Sequence, residues 1–141
     1  MKIFNLSIHS RKQRELIDIT DYVESIIRES RITNGLVIIT TLHVTAGILI
    51  NEYEDKLKWD ILNKLTALCA SRSYRHHRYH YEDGRPAVNA PSHLAVILAS
   101  QPSVALLIEN GSLLLSRRQR IMLLEADGPK ERSLKVRVVE E

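Results

Sequence analysis

Hydrophobic and polar positions change period several times along the chain, and the changes mark its elements. Lys2 to Ile8 carries Ile3, Leu6 and Ile8 in imperfect alternation and predicts an opening strand, followed by a charged turn from Ser10 to Glu15. Asp21 and Glu24 have the spacing of a capping box. Val23, Ile26 and Ile27 then predict an amphipathic helix to about Ser30. Asn34-Gly35 breaks the chain before Leu36 to Thr41, a continuous apolar run rich in β-branched residues, expected to be a strand buried on both faces. Ala46 to Asn51 reads as the next strand. From Asp55, the spacing of Leu57, Ile61, Leu65 and Leu68 is helical and ends near Ser71.

Ser71 to Ala90 has no apolar period, and so long a loop in a compact domain is usually functional or mobile. Pro91 suits the first turn of a helix carrying Leu94, Val96, Ile97 and Leu98, with Asn89 or Ala90 as its cap. Strands are expected at Val104 to Glu109, at Leu113 to Leu115 after the Asn110-Gly111 turn, and at Arg120 to Glu125. Beyond Asp127-Gly128-Pro129, Leu134, Val136 and Val138 alternate with outward Lys135 and Arg137. These elements predict an α+β fold: one domain over residues 1–141, a mostly antiparallel sheet or sandwich with about three helices.

The length, 141 residues, allows roughly 70% of the unfolded surface to be buried. With 44% hydrophobic and 26% charged residues, the composition excludes disordered, collagen-like and disulfide-scaffold classes. No apolar run approaches the ~20 residues that span a bilayer. Met1-Lys2-Ile3-Phe4 leads into strand-like sequence instead of a signal-peptide core, so a cytoplasmic protein without a membrane partner is expected. The single cysteine, Cys69, sits among apolar helix positions and reads as a packed thiol.

A net charge of +3 is too mild to announce a nucleic-acid partner, which is disfavoured. The basic residues are nevertheless clustered. Arg72, Arg75, Arg78 and Arg85 form one group and Arg117, Arg118 and Arg120 another, either a phosphate-receiving surface or two solvated loops. Tyr74, Tyr79 and Tyr81 interleave with the first group, a pattern suited to stacking single-stranded RNA or to an active-site lid.

Histidine carries the sharpest chemical signal. His43 follows a strand within Thr41-Leu42-His43-Val44-Thr45, His76, His77 and His80 lie in the long loop, and His93 falls in a first helical turn, where the helix dipole disfavours its protonation. Three imidazoles from a strand end, a loop and a helix start can converge on one divalent ion and leave a position for substrate. The alternatives are a satisfied core histidine for His43 and a surface residue for His93. Glu52, at a strand end, and Asp60, between Lys56 and Lys64 on a helix, compete for acid–base work; a surface ion pair is the plainer reading of Asp60.

Taken in order, Thr41-Leu42-His43-Val44-Thr45-Ala46, Ile50-Asn51-Glu52, Trp59-Asp60, Tyr74-Arg75-His76, Asn89-Ala90-Pro91-Ser92-His93-Leu94, Asn110-Gly111-Ser112-Leu113, Gln119 and Glu125-Ala126-Asp127-Gly128-Pro129-Lys130 resemble the YjbQ family, called secondary thiamine-phosphate synthases. The resemblance implies a YjbQ-like homotrimer with a polar histidine pocket that binds a phosphorylated small molecule. It implies an enzyme joining a pyrimidine pyrophosphate to a thiazole phosphate, with release of pyrophosphate. His43, His76 and His93 are then the expected ligands of a divalent metal, zinc or magnesium. Glu52, Asp60 and His43 are the expected catalytic groups, and Asn51, Arg75, Asn89 and Gln119 the expected substrate contacts. Departures from the family pattern are Val44 for a threonine, Ser100 for a glycine, and Ser116-Arg117-Arg118-Gln119 for a Gly-x-Trp-Gln stretch. A non-catalytic metal- or anion-binding module is the alternative, and an RNA-binding protein the remoter one.

Overall fold

The computed structural model describes residues 2–141; Met1, the start of the leader reading, lies outside the described residues. Eight strands and three α-helices follow one another in the order β1 (Lys2–His9), β2 (Glu15–Asp18), α1 (Thr20–Ser30), β3 (Gly35–Thr41), β4 (Ala46–Asn51), α2 (Asp55–Cys69), α3 (Ala90–Ala99), β5 (Ser103–Glu109), β6 (Ser112–Leu113), β7 (Arg120–Glu125) and β8 (Glu131–Glu140). A short 3-10 turn, Arg75–Arg78, interrupts the long loop before α3.

The strands form two antiparallel sheets, ordered β1-β8-β3-β5-β6 and β2-β7-β4. The smaller sheet is the middle layer. Ile121 and Leu123 of β7 face the larger sheet and α1, packing with Ile48, Val37, Ile39 and Val136. Met122 and Leu124 point the other way, onto Leu65 and Cys69 of α2 and Ala95 of α3. Four consecutive fully buried side chains are therefore explained by a strand with a hydrophobic neighbour on each face.

That double burial was expected of β3 and is found in β7. In β3, Val37, Ile39 and Thr41 are buried while Leu36 reaches solvent on the outer face of the larger sheet, where Leu107 is exposed as well. The expected turn from Ser10 to Glu15 leads directly into β2, a four-residue strand too short to display a period. The capping box is absent: α1 starts at Thr20, and Asp18, two residues outside, accepts from the Thr20 amide at 3.0 Å and hydroxyl at 2.7 Å. Asp18 also receives Arg120 Nε at 2.8 Å, which ties the start of α1 to β7. On α2 the buried face is Ile61, Leu62, Leu65 and Cys69, whereas Leu68 is exposed. Glu54 caps this helix by accepting from the Lys56 and Leu57 amides.

Beneath the end of β3 lies a fully buried ion pair. Glu125 accepts from Arg132 Nε at 3.0 and 2.9 Å and from Ser10 Oγ at 2.6 Å. Arg132 Nη2 reaches the Thr45 hydroxyl at 2.9 Å and the Thr45 carbonyl at 3.3 Å. Ser10 Oγ in turn accepts from the Lys130 amide at 2.8 Å. β7, β8 and the loop after β3 are thus fastened at one point, with their buried charges paired and hydrogen-bonded.

Candidate functional site

The β3–β4 connection, the long loop and the start of α3 meet beside this network. The imidazoles of His76 and His93 stand edge to face, 5.0 Å between centroids. His76 also stacks on Tyr79 at 5.9 Å, and Tyr79 meets Tyr81 edge-on at 5.2 Å. Tyr74 donates to the Cys69 carbonyl at 2.7 Å, anchoring the loop to the end of α2. Tyr74, Arg75, His76, Ala90, His93 and Leu94 line a cavity of about 290 Å³. On its other side His93 shares a second groove, of about 450 Å³, with His43, Val44, Ile97 and Ser100.

Hydrogen bonding in this region is conspicuously incomplete. Among the described residues, the buried side-chain polar atoms without a partner are His76 Nε2, His77 Nε2, His93 Nε2 and Asn89 Oδ1, all in one stretch of chain. Leaving such an atom unpaired costs about 1–3 kcal/mol, so their concentration marks a place where a partner from outside is fitting. Asn89 occupies the cap position of α3, yet its side chain does not cap the helix; it donates to Asp127 Oδ2 at 3.2 Å, and Lys130 Nζ meets the same oxygen at 3.1 Å. Asn89 Oδ1 thereby remains free on the same side of α3 as His93, one helical turn later.

His93 is held below the usual imidazole range, first by burial and then by the neighbouring His76, against the opposing pull of Asp127. The neutral ring expected from the helix dipole is present with a different main cause. The Val44 backbone acts as its hydrogen-bond acceptor. The Nε2 of His93 has no partner among the described residues. His43 is lowered too, by burial and then by Arg132 and Lys130, with Glu125 opposing. Its Nε2 is already occupied, accepting from the Ser133 amide at 3.0 Å.

The three expected ligands do not converge on one point as a set. Among the described residues no three His, Cys, Asp or Glu side chains adopt a metal-holding arrangement. Two of the three meet, and the third is turned to Ser133. Arg75 lines the inner cavity, and Asn89 directly precedes Ala90, which lines it too. Glu52, Asn51 and Gln119 lie at the opposite end of the middle sheet, about 20 Å along β4 from the His43 end at the usual strand rise. There Glu52 pairs with Arg118 at 3.2 Å, Asn51 Oδ1 accepts from the Glu52 amide, and Gln119 Oε1 accepts from the Ser116 amide. Asp60 is exposed on α2 and pairs with neither Lys56 nor Lys64. The second arginine group is likewise engaged locally, Arg118 with Glu52 and Arg120 with Asp18 and Asp21.

Comparison with known proteins resolves the ancestry. The family model described as "UPF0047 protein YjbQ-like" matches residues 4–141. The chain belongs to the YjbQ-like UPF0047 family. A UPF0047 protein of Archaeoglobus fulgidus is 38% identical over 135 residues, covering 95% of this chain and 98% of the relative. UPF0047 protein MJ1081 of Methanocaldococcus jannaschii is 34% identical over 97% of this chain and 94% of its own. A crystal structure of a YbjQ-like protein of unknown function from Sulfolobus solfataricus superposes with a TM-score of 0.87 at 34% identity, covering 99% and 97% of the two chains. A hypothetical protein of Aeropyrum pernix gives 0.90 at 27%, with both chains covered in full.

Within this YjbQ-like chain the departures from the family pattern acquire physical readings. Val44 is exposed and lines the groove beside His93, so an apolar side chain stands where the family pattern has a hydroxyl. Ser100 ends α3, donates to the Val96 carbonyl at 2.7 Å, and presses on Gly47, where any side chain would collide with its hydroxyl. Arg118, standing for the aromatic residue, has become the partner of Glu52. The unpartnered Nε2 of His77 escaped the sequence reading; the Tyr74-x-x-His77 spacing was visible, but burial was not.

Proposed function

We propose that this YjbQ-like protein is a metal-assisted enzyme acting on a phosphorylated small molecule, in the manner of thiamine-phosphate synthesis: a pyrimidine pyrophosphate and a thiazole phosphate are joined and pyrophosphate leaves. The observation that carries the proposal is the cluster of unpartnered buried atoms at His76, His93 and Asn89. Two imidazole nitrogens and an amide oxygen suit zinc better than magnesium, which prefers an all-oxygen shell. His76 and His93 would hold the ion, Asn89 Oδ1 offers a third donor, and substrate oxygens complete the set. The bound ion would supply neutralisation of the departing pyrophosphate. Arg75, exposed at the cavity edge, meets the phosphate charge, and the aromatic stack from His76 to Tyr81 gives a flat apolar surface for a ring.

Glu52 enters this scheme only from another subunit, consistent with the homotrimer the family resemblance implies. Leu36, Leu107 and Leu114 stand exposed on the outer face of the larger sheet, and Leu42, Val44, Val88 and Ile97 expose apolar surface in the segments around the site; this surface supports such an assembly. The test is calorimetric titration of zinc, then of pyrophosphate with zinc, into wild type and the single variants His76→Ala, His93→Ala and His43→Ala, alongside an assay of thiamine phosphate formation. Zinc binding that fails in the first two variants supports the site. Equal zinc binding in all four proteins removes it, and zinc and pyrophosphate binding without turnover leaves a binding module in place of an enzyme.

A further inference from the structure

His43 and His93 stand at one groove, and the chain treats their Nε2 atoms in opposite ways. β3 ends at Thr41, opposite Leu134 of β8. Past that point the next β8 amide, that of Ser133, meets the His43 imidazole instead of a strand carbonyl, at 3.0 Å from Nε2. A backbone N–H can only donate, so Nε2 must present its lone pair, and a neutral ring then carries its proton on Nδ1. On His93, by contrast, it is Nε2 that has no partner among the described residues. His43 thus spends its lone pair on Ser133 and keeps an N–H at Nδ1, whereas His93, on the same groove, keeps an unpartnered Nε2.

The support behind His43 is rigid. Its own amide donates to Thr41 Oγ1 at 3.2 Å. Ser133 directly follows Arg132, which is locked to Glu125 and to Thr45, two residues beyond His43. No described residue accepts from His43 Nδ1. Burial and the positive charge of Arg132 and Lys130 keep the ring neutral, with Glu125 the opposing charge. A histidine so held is a poor metal ligand at Nε2 and a ready donor at Nδ1.

We infer that His43 is not a metal ligand but a hydrogen-bond donor, through Nδ1–H, to a phosphate oxygen of the substrate bound beside His93. This rests on the reading of the cavity as a site for phosphorylated ligands and assigns that site a specificity-determining donor. It divides the three histidines of the sequence into two kinds: His76 and His93 offer lone pairs, and His43 offers a proton donor.

Two measurements test it. Long-range 1H–15N correlation on the labelled protein, with the His43 signals identified by their loss in His43→Gln, is expected to show a protonated-type Nδ1 and a bare-type Nε2. Pyrophosphate binding with zinc is then compared in wild type, His43→Asn and His43→Gln. Asparagine places an amide nitrogen near the Nδ1 position, and glutamine places its amide oxygen near Nε2 while losing the donor. His43→Asn is expected to retain most of the affinity and His43→Gln to lose about tenfold or more, the usual effect of one hydrogen bond to a charged group. A bare-type Nδ1, or equal affinities in the two variants at whatever level, overturns the inference while the site itself stands. Absence of pyrophosphate binding in wild type instead removes the functional reading, and the donor's ligand with it.

Discussion

Two polar clusters lie side by side in this molecule and are treated in opposite ways. Around Glu125 and Arg132 the buried charges meet Ser10, Thr45 and each other, and the group ties four segments together. Around His76, His93 and Asn89, side chains that are half-buried as a whole leave individual buried atoms without partners. Both clusters bury polar atoms, but only the first satisfies them. The contrast teaches that a buried polar group is informative about function when its bonding is incomplete, and about architecture when it is complete.

The largest test of the contrast is to break the satisfied cluster. Arg132→Met leaves Glu125 buried and unpaired, and urea denaturation is expected to show a loss of about 3–5 kcal/mol. Adding Glu125→Leu to Arg132→Met removes the orphaned charge and should restore at least about half of that loss. A single variant as stable as wild type would place this cluster in the same class as its neighbour. The unsatisfied cluster should respond in reverse. His76→Phe keeps a ring against Tyr79, and its unfolding free energy is expected to stay within about 1 kcal/mol of wild type while zinc binding drops at least about tenfold.

Acidity sharpens the comparison further. His43 and His93 both titrate below the ordinary imidazole value of 6.5, chiefly because of burial. The unfolded chain then binds more protons than the folded one between the two values, so stability rises with pH in that window. Their contribution is present above pH 6.5 and is lost as pH falls through the depressed folded values. Thermal midpoints measured from about pH 7 to about pH 5 should fall for wild type and fall less for the double variant His43→Gln, His93→Gln. Identical slopes would show that neither ring is neutral by virtue of the fold. The smallest effect belongs to the exposed corner: Arg118→Ala breaks the pair with Glu52 and should change stability by no more than about 0.5 kcal/mol.

Much of the architecture was legible because it rests on periodicity. β4 and β7 begin and end where the apolar pattern changes, and α2 starts at the expected Asp55. Misreadings arose where a partner, not the local sequence, decided the outcome. β2 exists because β7 offers it an edge, and Asp18 serves Thr20 and Arg120 in place of the expected capping box. For the site, His43, His76 and His93 were readable as a group, and two of them do meet. Their division was not readable, because the engaged nitrogen of His43 is set by Ser133, whose backbone takes part whatever its side chain. Glu52 and Asp60 illustrate the same limit: spacing suggested chemistry, while the distance along β4 and the exposure of α2 assign them elsewhere in the chain.

The lone thiol offers a use that follows from its position. Cys69 is 1% exposed beneath the junction of α2 and α3, and its carbonyl holds the Tyr74 hydroxyl that begins the histidine-bearing loop. An alkylating reagent can reach that sulfur only when the junction loosens. The protein therefore carries a built-in clock for the seating of its own loop, one that can be read by mass spectrometry without introducing any label.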